Sequence, residues 1–244
     1  MDTNFSAGLP TLAGVAVGVA GYAYAAMSSG SQVLGKTLIA PPRPDELALT
    51  YDDGPNPAWT PQLLDVLASY KIQATFFLLG AHAKAQPELV KRIAAAGHLI
   101  GNHSFTHANL MFLSRPRITD ELKYTNVILE QLTGQPVKFF RPPFGARRGT
   151  VLRIARLMEM TPVMWNVMTS DWRQESAERI WRRLVRKINR VNRRNRAANI
   201  VLHDGSHEAP VANREPSVKA TARLIEYYQS THRFVTVDSW LASG

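Results

Sequence analysis

The stretch Leu47-Ala-Leu-Thr-Tyr-Asp-Asp-Gly-Pro55 decides the fold of this chain. β-Favouring residues lead directly into Asp52 and Asp53, and a Gly-Pro turn follows, so the stretch predicts a buried strand with a polar tip. When two carboxylates lie side by side, their mutual repulsion raises the pKa of one of them unless a cation or a proton lies between them. A metal ion bound by one acid, with the other free as a base, resolves that conflict. A solvated turn is the alternative, because Asp-Asp-Gly-Pro is also typical turn sequence.

The composition indicates an ordinary globular protein. The 244 residues, 45% hydrophobic and 20% charged, are enough for one large domain or two small ones. The chain has no cysteine, which excludes a disulfide framework, a thiolate metal site and a cysteine nucleophile. Any bound metal must therefore use histidines and carboxylates.

Residues 9–27 form a nearly continuous run of small apolar residues. We interpret the run as a secretory signal peptide, with Ala23-Tyr24-Ala25 as the cleavage site, or as a membrane anchor near the lower length limit for spanning. A helix packed on the domain or a disordered leader is the remaining alternative. We expect export to the cell envelope or the extracellular space, with residues 1–40 as N-terminal segment and linker and residues 41–244 as the folded domain.

Basic residues outnumber acidic ones by 29 to 19, and ten of them fall between Arg173 and Arg196. Apolar residues recur through this run at helical spacing, which predicts an amphipathic helix with a basic outer face. We expect a solvated face that suits an anionic wall polymer or a membrane surface. No nucleic acid is expected as a partner, because no recognised nucleic-acid module accompanies the face.

The rest of the chain alternates between predicted strands and helices. Seven strands, of which Val163–Val167 is the fifth, alternate with six helices and indicate a parallel α/β architecture. Polar residues fall at or just past the C-terminal ends of five strands, where the active sites of parallel barrels lie. These residues are Asp52, Asp53, His103, Arg141, Asp171, Trp172 and His203.

Two histidines four residues apart, His103 and His107, would point the same way from one helical turn. With the carboxylate of Asp53 they make two nitrogens and one oxygen, the ligand set of a catalytic zinc site with an open position for water. A metal there makes water acidic enough to attack a carbonyl near neutral pH.

Five ordered motifs resemble those of the polysaccharide deacetylase family, the NodB-homology enzymes of carbohydrate esterase family 4. The motifs are Thr50-Tyr51-Asp52-Asp53-Gly54-Pro55, His103-x-x-x-His107, Arg141-Pro142-Pro143-Phe144-Gly145, Asp171-Trp172 and Leu202-His203-Asp204. The resemblance covers Glu46 to the C-terminus and implies a distorted (β/α)7 barrel of the NodB-homology type. It makes residues 41–244 the catalytic domain, preceded by the apolar N-terminal segment.

The resemblance also implies a role for each matching residue. Asp52 is the general base, paired with Arg141, while Asp53, His103 and His107 hold a divalent metal, zinc before cobalt, manganese or nickel.

For the leaving amine, His203 is implied to be the general acid that donates the proton. Asp171 is implied to orient the imidazole of His203. The backbone N–H near Phe144 is implied to stabilise the oxyanion. The slot for the acetyl methyl group is implied to consist of Trp172 with Leu202 or Val201.

The implied activity is removal of N-acetyl groups from an N-acetylhexosamine polymer, peptidoglycan or a chitin-like oligomer. Ester deacetylation of xylan is the enzymatic alternative, and a weakly active glycan-binding relative is the other. Two positions depart from the family pattern: Met168 stands where an aspartate is common, and Val201 where a leucine is usual. His207, four residues after His203, is expected to line the cleft.

Overall fold

The computed structural model describes residues 12–173, 175–209 and 211–241. Within those residues, eight strands form one parallel sheet, in the order β5-β4-β3-β2-β1-β7-β6 with β8 beside the start of β1. The strands are β1 (Glu46–Gly54), β2 (Thr75–Leu78), β3 (Leu99–Asn102), β4 (Phe139–Phe140), β5 (Thr161–Pro162), β6 (Val167–Met168), β7 (Ala198–His203) and β8 (Arg233–Phe234). The predicted parallel α/β barrel is confirmed.

Helices follow most of the strands and cover the outside of the sheet. They are α1 (Leu12–Met27), α2 (Thr60–Ser69), α3 (Gly80–Ala85), α4 (Pro87–Ala95), α5 (Arg115–Thr133), α6 (Gly149–Leu157), α7 (Ala177–Asn192) and α8 (Glu215–Tyr228). Local sequence sets several ends. Ser176 caps α7 by accepting a hydrogen bond from the amide of Arg179, and Gly134 ends α5 in the left-handed conformation.

Strand β1 is the centre of the sheet, and all nine of its residues are buried. It pairs with β7 along one edge and with β2 along the other. Leu47, Leu49 and Tyr51 pack into the main hydrophobic cluster, and the Tyr51 hydroxyl lies 3.0 Å from that of Thr221 on α8. Because side chains alternate along a strand, Asp52 points to the opposite side, into the barrel.

The predicted fifth strand, Val163–Val167, is wrong in its extent. Two short strands, β5 and β6, flank this region instead. Between them the backbone amide of Asn166 donates to the Asn199 carbonyl at 3.3 Å. The Asn166 side chain adds two bonds: its amide group donates to the Ala197 carbonyl at 2.8 Å, and its oxygen accepts from the Asn199 amide at 2.9 Å.

The segment after α1 joins the β5 end of the sheet to β7. The Leu38 amide donates to the Pro162 carbonyl at 2.8 Å, and the Ala197 amide donates to the Pro41 carbonyl at 2.9 Å. Farther back, the buried guanidinium of Arg147 donates to carbonyls of the segment that ends α1. The acceptors are Ala26, Ser28 and Ser31, at 3.4, 2.7 and 2.8 Å.

The predicted apolar run is described only in part, since residues 9–11 lie outside the described residues. Helix α1 covers the whole remainder, 16 residues. Across the described ranges, no helix combines the length and the apolar character needed to cross a bilayer.

Gly205, just after β7, touches the end of β1 so closely that a side chain does not fit. A Cβ at this position would lie 2.0 Å from the carbonyl oxygen of Asp53, which is backbone and cannot swing away. We therefore expect Gly205→Ala to lower the free energy of unfolding by about 1–3 kcal/mol. Denaturant unfolding at constant m-value measures this loss.

The matched control for that substitution is Gly30→Ala, because nothing lies within 4 Å of a Cβ built on Gly30. We expect this variant to stay within about 0.5 kcal/mol of the wild type. Equal unfolding free energies for the two variants would contradict the close approach at Gly205.

Candidate active site

Asp52 lies at the end of β1 with a cation as its partner. The guanidinium Nη1 of Arg141 donates to Asp52 Oδ1 at 2.8 Å and to the Thr50 hydroxyl at 2.7 Å. Arg141 follows β4 and is completely buried, with its guanidinium carbon 4.1 Å from the ring centre of Phe77. This contact fixes Oδ1 and leaves Oδ2 of Asp52 on the side of His103, 3.9 Å from Nε2.

Asp53, the next residue, has imidazoles around its carboxylate instead. Its Oδ1 lies 3.4 Å from Nε2 of His103 and 3.2 Å from Nε2 of His107. His207 reaches the other oxygen, with Nδ1 3.7 Å from Oδ2. Burial acts to raise the pKa of Asp53, but His103 and His207 hold it well below its usual range.

The residues around Asp53 suit a divalent cation. Two ligand atoms bound tetrahedrally to one zinc ion lie roughly 3.3 Å apart, close to the Asp53–histidine distances. Oδ1 of Asp53 is buried without a hydrogen-bond partner among the described residues. The Nδ1 atom of His103 lies 2.8 Å from the Arg141 carbonyl, which accepts its proton and leaves Nε2 free to bind metal. Burial lowers the pKa of His107 to about 3, so this ring is neutral, as a metal ligand must be.

His203 forms a second charged pair in the same cavity. Its Nδ1 lies 2.9 Å from Oδ1 of Asp171, and its backbone amide donates to Oδ2 of the same carboxylate at 2.8 Å. Ser217 of α8 also donates to Oδ2, at 2.8 Å. Burial pulls the pKa of His203 down, but Asp171 outweighs burial and raises it to about 9. The imidazole is therefore protonated at neutral pH.

A cavity of about 440 Å³ joins these groups. Asp52, Asp53, both predicted metal histidines and His203 line it, while Arg141 and Asp171 lie buried behind them. Its apolar wall consists of Phe144, Trp165, Met168, Trp172 and Val201.

Of the two alternatives for the apolar slot, Val201 lines the cavity and Leu202 does not. Leu202 is completely buried in the main hydrophobic cluster on the other side of the sheet. The cause is strand alternation: Val201 and His203 are two residues apart on β7 and face the same way.

Strained backbone is concentrated around the cavity. Asp53, Ser104, His107 and Phe144 have φ values of 69°, 69°, 62° and 58°, in the left-handed region that residues with a side chain seldom adopt. At Phe144 this turn directs the amides of Gly145 and Ala146 back to the Pro142 and Pro143 carbonyls. The ring of Phe144 packs edge-on against His107 with centroids 4.5 Å apart.

Met168, the departure from the family pattern, lies in the cavity wall and gives Arg141 no polar contact. Asn199 on β7 partly takes that position, because its Oδ1 accepts from Nη2 of Arg141 at 3.4 Å. The same side chain donates to the Met164 carbonyl at 2.7 Å, which fixes its orientation. Sequence reasoning missed Asn199, although its position two residues before Val201 on the predicted strand marked it as inward-facing.

Two further residues hold the loop of Asp53. His82 has Nδ1 3.0 Å from the Asp53 carbonyl oxygen. Asp204 is buried against Gly54 and accepts a hydrogen bond from the Thr60 hydroxyl. Burial raises the pKa of Asp204 to about 7. The Leu-His-Asp motif was the only sequence signal for Asp204.

The chain was compared with known proteins. It is 37% identical over 195 residues to a peptidoglycan-N-acetylglucosamine deacetylase of Bacillus cereus, covering 80% of this chain and 67% of the relative. It is 33% identical over 183 residues to a chitooligosaccharide deacetylase of Sinorhizobium fredii, covering 72% of this chain and 82% of the relative. The crystal structure of a CE4 family pseudoenzyme from Bacillus anthracis is similar with a TM-score of 0.74 at 28% identity, covering 84% of this chain and 68% of that one.

Residues 40–163 also match the family described as "Polysaccharide deacetylase". The match covers half of the sequence. Motif residues within it, namely Asp52, Asp53, His103 and His107, line one cavity of a NodB-type barrel. The chain belongs to the polysaccharide deacetylase family.

Proposed function

We propose that this protein is a metal-dependent hydrolase that removes N-acetyl groups from an N-acetylhexosamine polymer, peptidoglycan or a chitin-like oligomer. One observation carries the proposal: a carboxylate paired with arginine and an imidazole paired with aspartate flank one histidine-rich carboxylate in a single cavity. This arrangement supplies a base and an acid to the same bond. The deacetylase relatives support the substrate class.

Asp52 acts as the general base and accepts a proton from the water that attacks the acetyl carbonyl carbon. Because Arg141 fixes Oδ1, Oδ2 is the oxygen that takes this proton. A base oriented in this way contributes typically 10²–10⁴-fold to the rate.

His203 acts as the general acid. Its Nδ1 side is held by Asp171, so Nε2 donates the proton to the leaving nitrogen as the carbon–nitrogen bond breaks. Acetate and the free amine are the products; Asp52 releases the proton that it took and His203 regains one from water, so both groups return to their starting protonation states.

Asp53, His103 and His107 would hold the metal. When bound, the cation supplies a Lewis acid that polarises the acetyl carbonyl and lowers the pKa of water. We propose zinc, which two histidines and a carboxylate suit, with cobalt, manganese and nickel as alternatives for the same ligands.

The apolar wall would receive the acetyl methyl group. Trp172 packs edge-on against His203 with ring centroids 5.2 Å apart, and Val201 faces the same space. The backbone N–H of Phe144 would donate to the oxyanion, since the amides of Gly145 and Ala146 are used within the turn.

We expect Asp52→Asn to reduce acetate release from N-acetylglucosamine oligomers and peptidoglycan at least about 10²-fold, and chelation to abolish it until zinc is restored. Acetate is measured in both cases, with acetylated xylan alongside. Asp65→Asn, an exposed aspartate on α2, is the matched control and should keep full activity.

Release from xylan alone would replace the proposal with ester deacetylation. No release from any substrate by a protein that binds metal would support a glycan-binding relative, a relevant outcome because a pseudoenzyme shares this fold.

A further prediction concerns the charge of His203. In the metal-free protein we expect its imidazole to titrate near pH 9, so that the proton is lost only as the pH rises through that value. In Asp171→Asn the largest favourable charge is lost, while burial still acts to lower the pKa, so we expect the pKa of His203 to fall and kcat to fall about 10²–10⁴-fold. Histidine-selective NMR titration measures the shift, and an unchanged pKa would refute the role of Asp171.

We also propose that the protein is exported and that the basic face of α7 contacts an anionic wall polymer. Arg186 and Arg190 are exposed, and neither forms an ion pair within the described part of the chain. The pKa of nearby Lys187 is lowered by burial and by Arg183 and Arg190, as expected where like charges crowd together.

We expect Arg186→Glu/Arg190→Glu to weaken binding to teichoic acid and to flatten its dependence on salt concentration. Arg117→Glu/Lys123→Glu on α5 removes the same charge from another exposed surface and is the matched control. Binding to anionic vesicles but not to teichoic acid would assign the face to a membrane instead.

A further inference from the structure

We propose that His207 is a fourth protein ligand of the metal, added to the Asp53, His103 and His107 set. This inference rests on the proposed metal dependence of the site. Nothing in the family motifs includes His207, because it lies three residues beyond the Leu-His-Asp motif.

The geometry around Asp53 carries the proposal. The ring of His207 lies parallel to that of His107, with an interplanar angle of 18° and centroids 4.0 Å apart. Ligand atoms of Asp53, His107 and His207 all lie within 4.8 Å of one another. Two ligands on opposite sides of one cation with bonds of 2.0–2.4 Å lie about 4.0–4.8 Å apart, so a single ion can reach all three.

The two oxygens of Asp53 divide the histidines between them. Oδ1 faces His103 and His107, whereas Oδ2 faces Nδ1 of His207 at 3.7 Å. The Nδ1 atom of His207 therefore lies nearest the oxygen of Asp53 that the other two histidines do not face. Packing against His107 alone would need only an aromatic ring.

The loop that carries His207 is fixed at its base. Gly205 packs against the Asp53 carbonyl, and its own carbonyl accepts a hydrogen bond from Nε of Arg214 at 2.7 Å. Beyond this anchor the His207 side chain is 31% exposed. The position of the ring beside Asp53 thus follows from a constrained turn, while its exposure leaves room for a different amino acid.

A fourth protein ligand changes what the site can accept. Catalytic zinc sites usually have three protein ligands and one open position, whereas four close the tetrahedral shell. With four protein ligands the metal would leave less room for water and the acetyl carbonyl than with three. We expect the additional nitrogen to tighten metal binding.

The test is a Co²⁺ titration of the metal-free full-length protein, followed by visible absorption and by competition with a chelator. His207→Phe keeps a ring to stack on His107 but removes the nitrogen, and His207→Ala removes both. We expect Co²⁺ to bind at least about 10-fold more weakly to each variant, with a changed visible spectrum. Asp65→Asn, the exposed aspartate on α2 that pairs with Arg92 and is remote from this loop, should bind as the wild type does.

Wild-type affinity and spectrum in His207→Phe would overturn the inference and leave His207 a packing role. Failure of the proposed metal site itself gives a different result. In that case the wild type binds no Co²⁺, or Asp53→Ala binds it as tightly as the wild type.

Discussion

Two carboxylates that are neighbours in sequence, both buried at the end of one strand, are the constraint on which the site depends. Asp52 and Asp53 are 4% and 5% exposed, so neither can rely on water to stabilise its charge. Each carboxylate has its own partners: Arg141 pairs with Asp52, and the imidazoles of His103 and His107 lie beside Asp53. Removing either partner would leave an uncompensated buried charge, which is far more costly than losing an exposed ion pair.

The central features of the fold and the site could be predicted because each of them is encoded in a short stretch of sequence. The strand before Asp52, the His103–His107 spacing and Asp171-Trp172 are each contained in a few consecutive residues. Parallel strands then bring their C-terminal ends to one face whatever the details of the connections.

What could not be predicted depends on register and on side-chain direction. Nothing local shows that Asn166 interrupts a strand, because its bonds go to residues 31 and 33 positions away. The position of His207 depends on how tightly Gly205 packs against Asp53. Strand alternation relative to His203 could have decided between Val201 and Leu202, once that histidine was assigned to the cavity.

Arg147 connects the N-terminal region to the turn of Phe144, a contact that bears on proteolytic processing. Arg147 lies two residues after Gly145, which belongs to the turn of Phe144. Its buried guanidinium donates to the carbonyls of Ala26, Ser28 and Ser31. Proteolytic processing after Ala25 would leave all three acceptors in the mature polypeptide. Processing beyond Ser31 would strip them away and leave the guanidinium with the Gly145 carbonyl, 3.1 Å from Nη1, as its one remaining acceptor among the described residues.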